Sequence, residues 1–296
     1  MERPENMKEP SLRLTERTIY IKDEIKIPGL NLFGHGILTD AREPLILHYH
    51  ERVLEFTIAV KGGLTWTVEK DPPRSYSFHG GDIFVSYPEE PHSGRNLPLS
   101  FSEFYWFQLD PTAADSFLFL CPEASRYAVS RLLNLSGHII HTSSAITHPL
   151  IKQIFSLLEE DGDRYQIAAH TLSLLYHLFS ASTETDTGIT EDIKMSLSYI
   201  QEHVTEPLTI EELASISRLS VSHFQQKFKK QLGLGPRHYI NQQKIEYSKK
   251  LLLSGCSVTE TAMLLGYNTS GYFSTVFKKY TMYSPIEFLK RRKQAS

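Results

Sequence analysis

The sequence predicts an α+β chain of more than one domain, with a strand-rich first part and an all-α last part. Its 296 residues are enough for two domains that each bury a core of their own. Alternating hydrophobic patterns dominate roughly the first 110 residues, whereas helical periodicity dominates after about residue 145. Charge divides in the same way. The whole chain carries 31 Lys and Arg against 34 Asp and Glu, but residues 188–296 carry 15 against 9, which makes the last part a candidate for contact with nucleic acid.

The first part predicts short strands that are joined by tight turns. The segment VLEFTIAV alternates apolar and polar residues, and Gly62-Gly63 predicts a hairpin turn into LTWTVE. Gly80-Gly81 precedes a further strand, DIFVSY, and SFSEFYWFQL predicts another. Many short strands at this spacing predict a sandwich or a small barrel, which we assign to residues 1–145.

Residues 146–180 predict two helices, LIKQIFSLLEED and IAAHTLSLLYHLF, because their apolar residues recur at helical spacing. We expect these helices either to form a dimer interface or to pack on the strands. Their apolar faces comprise Ile151, Ile154, Phe155 and Leu158 in the first helix and Leu172, Leu175 and Phe179 in the second. The polar segment 181–190 predicts a linker, after which residues 191–296 are expected to be all-helical.

Two stretches of the last part resemble each other. Thr209–Glu212 and Ser257–Glu260 each predict a capping box at the start of a helix, and a turn follows at 217–220 and at 265–268. Each turn leads into a second helix that ends in the letters FKK. The offset is 48 residues before the turn and 49 after it. Both second helices carry two phenylalanines one helical turn apart: Phe224 and Phe228, then Phe273 and Phe277. The pattern predicts two helix-turn-helix units.

If the phenylalanines face the core, the opposite face of each second helix is polar. In a helix-turn-helix protein the second helix enters the major groove of DNA, where glutamine can bond adenine and lysine suits guanine or phosphate. The alternative is an all-helical core whose polar face only contacts solvent. The candidate DNA-contacting residues are Ser222, His223, Gln225, Gln226 and Lys229 in the first unit and Ser270, Gly271, Ser274, Thr275 and Lys278 in the second.

Residues from about 193 to 293 resemble the DNA-binding domain of AraC/XylS-type transcription regulators. The resemblance rests on LTIEELASISRLSVSHFQQKFKKQLGLGPRHYINQQKIEYSKKLLL and SVTETAMLLGYNTSGYFSTVFKKYTMYSPIEFLKRRK. It implies two helix-turn-helix units joined by one long helix, with double-stranded DNA and RNA polymerase as partners. Arg218 and Met282 depart from the family pattern, since glycine is usual at both positions.

Four residues of the first part form a candidate ligand-binding cluster: His48, His50, Glu55 and His92. The segment HYHERVLEFTIAVKG resembles the first cupin motif, and the regulators named above often carry a cupin-like barrel that senses an effector. A bend near residues 51–52 is needed to turn Glu55 to the same side as the histidines, because it lies an odd number of residues away. Neutral imidazoles and a carboxylate suit zinc, iron, manganese, nickel or copper.

Three interpretations of this cluster stay open. It binds a divalent transition metal, it is a metal-free pocket that hydrogen-bonds the hydroxyl groups of an effector, or its histidines are satisfied within the barrel without a ligand. Trp106 is the aromatic residue we include in the candidate effector site, although strand parity allows only some of Trp66, Tyr105, Trp106 and Phe107 inside. The remaining histidines of the first part are expected at the surface or at caps: His35, His79, His138, His141 and His148.

The resemblance implies a sequence-specific DNA-binding transcription regulator that is not an enzyme, acts as a homodimer and responds to a small molecule, with a carbohydrate favoured. We expect a cytoplasmic protein with no membrane contact, because the charged N-terminal segment is unlike a secretory signal, and Cys121 and Cys256 lie too far apart to indicate a disulfide framework. The alternative is a cupin metalloenzyme, a dioxygenase or isomerase with a helical appendage, that holds its metal at the four-residue cluster.

Overall fold

The structure, a computed structural model, describes residues 16–39, 41, 44–95, 102–181 and 189–294, with side chains through residue 290. Within these ranges, residues 16–181 (the sheet region) form strands and three longer helices, and residues 189–294 (the helical region) form helices only. The strands are β1 (Glu16–Ile21), β2 (Leu30–Leu38), β3 (Leu54–Val68), β4 (Arg74–His79), β5 (Asp82–Ser86), β6 (His92–Ser93), β7 (Ser102–Leu109) and β8 (Ile139–His141).

The sheet is antiparallel, and its ladder is not closed. The strand order is β1-β2-β7-β3-β5-β8, while β4 and β6 pair with the second half of β3. Among the described strands, β1 and β8 therefore stand at the two ends of the path, so the strands of the predicted cupin-like barrel do not close on each other. The reason lies in β3, which leaves the larger sheet half-way and joins a smaller one with β4 and β6.

Strand β3 runs without interruption through Gly62-Gly63, where the sequence predicts a hairpin turn. A β-bulge between Ala59 and Lys61, followed by a left-handed Gly62 (φ 70°), bends the strand instead of reversing it. The bulge also reverses the alternation. Leu54, Phe56, Ile58 and Val60 lie on the outer face before it, whereas Leu64, Trp66 and Val68 lie in the interior cluster after it. Gly80-Gly81 does form a tight turn, between β4 and β5.

The outer face of the larger sheet is covered by helices α2 (Pro122–Leu133), α3 (Ser144–Glu159) and α4 (Arg164–Ala181), while α1 (Lys22–Ile25) is a single turn after β1. Helix α2 has no counterpart in the sequence-based expectation. Of the apolar residues that we considered for a dimer interface, Ile151, Ile154, Phe155, Leu158, Leu175 and Phe179 are buried against the sheet, and Leu172 is half-buried. Packing on the strands, the second of the two expected roles, accounts for them.

The helical region contains α5 (Glu191–Glu202), α6 (Ile210–Ile216), α7 (Val221–Leu232), α8 (Pro236–Leu253), α9 (Val258–Leu264), α10 (Ser270–Thr281) and α11 (Pro285–Gln294). It has two hydrophobic clusters, one around Phe224 and Phe228 and one around Phe273 and Phe277. Helix α8 contributes to both, through Ile240 in the first and Ile245 and Leu252 in the second. It therefore joins the two helix pairs as one rod.

The predicted division into segments 1–145, 146–180, 181–190 and 191–296 stays a prediction. Most of the expected linker, residues 182–188, lies outside the described residues. None of the helices that the structure describes is long and apolar enough to cross a membrane.

Candidate functional site

The two helix pairs, α6/α7 and α9/α10, share one turn geometry. In the first pair the amide of Arg218 donates to the carbonyl of Ser215 (3.0 Å), and the amide of Leu219 donates to that of Ala214 (2.9 Å). In the second pair Gly266 and Tyr267 make the equivalent bonds to Met263 (3.0 Å) and Ala262 (2.9 Å). Both turns thus satisfy the carbonyls that the end of the first helix leaves without a partner.

The helix starts are capped as the sequence predicts, with one difference. Ser257 and Glu260 form a full capping box, in which the Ser257 hydroxyl accepts from the Glu260 amide and the Glu260 carboxylate accepts from the Ser257 amide. In the first pair Thr209 accepts from the Glu212 amide (3.1 Å), but the Glu212 carboxylate accepts from the hydroxyl of Tyr199 (2.7 Å). In the first helix pair, the second hydrogen bond of the capping box is therefore replaced by a hydrogen bond from helix α5 to the Glu212 carboxylate.

The first candidate DNA-contacting face is open. Phe224 and Phe228 of α7 are fully buried, and the polar residues on the other side of that helix are all exposed. A protruding glutamine can reach a base edge, while a lysine near the end of the helix can reach a phosphate. The exposed residues are Ser222, His223, Gln225, Gln226 and Lys229, all five predicted from the sequence.

The second candidate face is shallower. Gly271, Thr275 and Lys278 are exposed on α10, whereas Ser270 and Ser274 are half-buried. The hydroxyls of Ser274 and Thr275 donate to carbonyls of their own helix, those of Ser270 (2.7 Å) and Gly271 (3.1 Å). The sequence argument missed Tyr272, which is 61% exposed on the first turn of α10. Its place three residues before Thr275, which puts both side chains on one side of the helix, is the signal that could have found it.

Arg218 and Met282 both adopt left-handed backbone, with φ of 53° and 71°. Gly266 and Gly233, at the equivalent places of the other helix pair, have φ of 72° and 70°. The turns therefore keep the same conformation where glycine is absent, and Arg218 does not loosen the first turn. A side chain with a Cβ is crowded in this region, so both residues cost stability that glycine would not.

The four residues of the interior cluster meet, as their spacing predicts. Bends at residues 51 and 52 follow the histidine pair, and strand β3 then carries Glu55 to the same side. His48 pairs with His92 through backbone hydrogen bonds of 3.1 and 2.9 Å. One ligand atom from each of the four side chains lies within 4.8 Å of all the others.

Backbone carbonyls orient two of the three imidazoles. Nδ1 of His48 lies 2.9 Å from the carbonyl oxygen of Ile46, and Nδ1 of His92 lies 3.1 Å from that of Glu90. A carbonyl oxygen only accepts, so each Nδ1 carries the proton and each Nε2 keeps its lone pair. His92 Nε2 is buried at 3.9 Å from a Glu55 oxygen, which is too long for a hydrogen bond.

The charges of the cluster follow from burial and proximity. Burial lowers the pKa of His92 to about 4, with a further contribution from nearby His48, and burial also lowers the pKa of His48. Burial alone would raise the pKa of Glu55, but the three histidines outweigh it and lower that pKa. At neutral pH the site therefore presents a carboxylate beside two neutral imidazoles, those of His48 and His92.

Gln108 of β7 completes the cluster and was missed by the sequence argument. Its amide nitrogen donates to one Glu55 oxygen (2.9 Å), and His50 Nε2 lies 3.1 Å from the same oxygen. Gln108 follows Trp106 by two residues on β7, and this spacing, which puts both side chains on one face, is the signal that could have found it.

The donor set fits a divalent transition metal. His48, His50 and His92 would supply imidazole nitrogens and Glu55 a carboxylate oxygen, and the carbonyl bonds at two of the histidines are the kind of support that metal-ligating histidines receive. A metal bound there would act as a Lewis acid towards a ligand oxygen. The same groups, without a metal, can hydrogen-bond hydroxyl groups.

The aromatic residues divide between the two faces of the sheet. Trp66 and Trp106 belong to the interior cluster, whereas Tyr105 and Phe107 pack on the outer face under the helices. Trp106 lies against Gly34, where an added Cβ would come within 2.3 Å of the indole ring. A surface cavity of about 590 Å³, lined in part by Lys22, Lys26 and Asp110, lies apart from the candidate residues.

Five other histidines of the sheet region are less exposed than the sequence predicts. All five, His35, His79, His138, His141 and His148, are half-buried. His35 stacks on Tyr105 beneath α3 (ring centroids 4.3 Å apart). The expectation of surface or capping positions is wrong for His35, which lies on the outer sheet face that α3 covers, and for His148, which lies on α3 itself and hydrogen-bonds the backbone of Ala59 in β3.

Comparison with known proteins agrees with the paired helices. Residues 213–291 match a family model described as a helix-turn-helix domain, which extends from α6 into α11. The HTH-type transcriptional activator Btr of Bacillus subtilis is 30% identical over 177 residues, 59% of this chain and 32% of Btr. The probable transcriptional regulator LumQ of Photobacterium leiognathi is 26% identical over 156 residues, 51% of this chain and 63% of LumQ. The helical region therefore contains a helix-turn-helix domain of the kind found in these transcriptional regulators.

A solved structure of an AraC-type DNA-binding domain-containing transcriptional regulator from Chromobacterium violaceum is also similar. It is 21% identical and covers 36% of this chain and 95% of its own, with a TM-score of 0.34. The chain spans about a third of the length of Btr and less than two thirds of that of LumQ. The family model matches only the helical region, and the cupin resemblance of the sheet region rests on the sequence motif alone.

Proposed function

We propose that this chain is a sequence-specific DNA-binding transcription regulator in which α7 and α10 enter successive major grooves of double-stranded DNA. The observation that carries the proposal is the matched pair of capped helix-turn-helix units, each with buried phenylalanines on one side of its second helix and exposed polar residues on the other. Helix α8 packs into both hydrophobic clusters and so spaces the two units. RNA polymerase and a second copy of the chain are the further partners that the resemblance to AraC/XylS-type regulators favours.

The sheet region is proposed to bind the effector at His48, His50, Glu55 and His92, with Trp106 on the same inner face of the sheet. A buried carboxylate and two imidazoles with free lone pairs are suited to the hydroxyl groups of a small molecule such as a carbohydrate. The alternative is that the same four residues bind a divalent metal. Effector binding would change DNA binding only if the effector prefers one of two conformations of the chain.

The direct test selects duplexes from a random pool with the full-length chain and measures their affinity at several salt concentrations. We expect one preferred sequence with two half-sites about one helical turn apart, and an affinity that falls as salt rises. Gln225→Ala should weaken binding to the selected duplex, while Gln166→Ala, an exposed glutamine of α4, should not. Equal binding to selected and scrambled duplexes would contradict the proposal.

A cupin metalloenzyme is the alternative from another class, and the close approach of four ligand atoms is the observation in its favour. An enzyme has no need for two matched helix-turn-helix units, which is why we place DNA binding first. Metal analysis of protein purified without added metal separates the two functions. Stoichiometric metal together with turnover and no DNA affinity would favour the enzyme.

A further inference from the structure

The C-terminal end of α7 is in backbone contact with the turn between β4 and β5. A Cβ built on Gly80 would lie 2.4 Å from the backbone nitrogen of Gly233 and 2.6 Å from its Cα. Real side chains essentially never come so close to a backbone, so only glycine at position 80 allows this packing. Gly80 and Gly233 are far apart in the chain. Their contact joins the sheet region to the C-terminal end of α7. We call α7 and α10 the reading helices, because these two helices are proposed to enter the major groove.

Three hydrogen bonds run from the sheet region to the ends of both reading helices. The Ser144 hydroxyl donates to the carbonyl of Lys230 (2.8 Å), and the Gly62 amide donates to that of Gly233 (3.3 Å). The Ala41 amide donates to the carbonyl of Lys279, near the end of α10 (3.0 Å). The last carbonyls of a helix have no partner within it, and here the sheet region supplies the donors.

The turn that carries Gly80 is itself firmly held. The Asp82 carboxylate accepts from the His79 amide (3.2 Å) and from Nδ1 of His141 (2.7 Å). Thr142 donates its amide (2.8 Å) and its hydroxyl (2.6 Å) to the carbonyl of Gly81. These hydrogen bonds restrain the turn, so it presents a fixed surface against which the end of α7 packs.

These contacts leave the candidate DNA faces open. Gln225 and Lys229 of α7 and Thr275 and Lys278 of α10 are exposed while the sheet region is in place. The contacts therefore do not block the reading helices. They connect the ends of the two helices through a second path, besides α8.

We propose that the sheet region clasps the two helix-turn-helix units and thereby sets the separation and orientation of α7 and α10. The clasp consists of Ala41, Gly62, Gly80 and Ser144 on one side and Lys230, Gly233 and Lys279 on the other. A change within the sheet region reaches the DNA-reading helices by tightening or releasing this clasp. The effect of the clasp on DNA binding rests on the proposed function, whereas the contacts that form the clasp do not depend on it.

The first test measures the clasp without DNA, in the full-length chain. Gly80→Val places a side chain against the Gly233 backbone. The φ of Gly80 lies outside the left-handed range, so the substitution does not strain the backbone of residue 80 itself. The variant therefore disturbs the contact with the end of α7. Gly235→Ala is the matched control, because its added Cβ meets nothing within 4 Å. We expect hydrogen exchange at the Ala41 amide to rise about tenfold in Gly80→Val, with exchange inside the β2–β7 ladder unchanged and the control like wild type.

The second test measures the preferred distance between half-sites in the selected duplex. Wild type should bind about tenfold less tightly when two base pairs are inserted between the half-sites, and Gly80→Val should lose most of this discrimination. Ser144→Ala, which removes only a hydroxyl, should have a smaller effect of the same kind and remains informative if Gly80→Val folds poorly. Unchanged exchange at Ala41 together with unchanged spacing preference would overturn the clasp. Wild type that binds no duplex would overturn the proposed function, while the exchange experiment would still decide on the clasp.

Discussion

Arg218 occupies the same left-handed backbone conformation in the first turn that Gly266 occupies in the second. Their φ angles are 53° and 72°, and the amide of each donates to a carbonyl three residues earlier at 3.0 Å. The hydrogen bonds of the turn, not the residue type, therefore set the conformation. The first helix-turn-helix unit therefore bears the steric cost of an arginine Cβ in left-handed backbone, and the second unit, which has glycine there, does not.

Arg218→Gly should stabilise the chain by about 0.5–1 kcal/mol, because it removes that crowding at some cost in unfolded-state entropy. Gly266→Ala should destabilise it by about 1 kcal/mol, since its added Cβ meets only Lys244 Nζ at 3.7 Å and the strain is left as the main effect. Urea unfolding monitored by circular dichroism measures both. A loss of stability in Arg218→Gly would mean that the arginine side chain makes a compensating contact.

Gln225→Ala should weaken DNA binding more than Thr275→Ala. A protruding glutamine can form two hydrogen bonds to adenine, whereas the Thr275 hydroxyl is engaged with the Gly271 carbonyl. We expect about a tenfold loss of affinity for Gln225→Ala and less than about threefold for Thr275→Ala. Fluorescence anisotropy on duplexes with one scrambled half-site at a time measures the contributions, and a larger loss on scrambling the second half-site would reverse our assignment.

Zinc or nickel should bind at the interior cluster and raise the midpoint of thermal unfolding. Four ligand atoms within 4.8 Å, two of them on oriented imidazoles, form a site that needs little rearrangement. At a free metal concentration about a hundredfold above Kd, the stabilisation should be about 3 kcal/mol. Glu55→Gln should reduce this effect strongly, and His223→Asn, an exposed histidine of α7, should leave it unchanged. Equal stabilisation of both variants would place the metal elsewhere.

The stability of the chain should fall as the pH decreases from about 6.5 to 4, in part through His148. Burial and then nearby Lys152 lower the pKa of His148 from 6.5 to about 4. The unfolded chain therefore takes up the proton first, so the contribution is complete above pH 6.5 and is lost towards pH 4. For this residue we expect a loss of about 1–2 kcal/mol between pH 7 and pH 5.

His148→Gln, compared with wild type at both pH values by urea unfolding, isolates this contribution. The variant should lose less stability than wild type on acidification, while His170→Gln on α4 serves as a control at another half-buried histidine. An identical pH dependence in wild type and His148→Gln would show that the imidazole is accessible to protons in the folded chain.

The helix pairs were predictable because their signals are local. Thr209, Ser257 and the two phenylalanine pairs lie within one or two turns of the helices they specify, and each helix pair repeats the other. The interior cluster was predictable for a related reason. The spacing of His48, His50 and Glu55 is contained in one short segment, and only His92 comes from further along the chain.

The remaining features depend on contacts that no short segment encodes. Gly80 and Gly233 are ordinary glycines in the sequence, and only the docking of one region on the other makes their missing side chains necessary. Gly62-Gly63 resembles a hairpin, but β7 and β4 pair with successive parts of β3 and hold it extended. The positions of His35 and His148 depended in the same way on α3 lying across the outer sheet face.

The bulge in β3 makes the length of that strand unusually sensitive to change. Glu55 and Trp66 lie an odd number of positions apart, so strict alternation would place them on opposite faces, and the extra residue of the bulge between Ala59 and Lys61 is what turns both to the interior. A gap of one residue at this point should therefore be found in relatives only where the bulge is lost as well. A graft that makes β3 pair regularly at this point should also remove one residue, and a graft that keeps the bulge should keep the spacing, if Trp66 and Glu55 are to lie on the same side of the sheet.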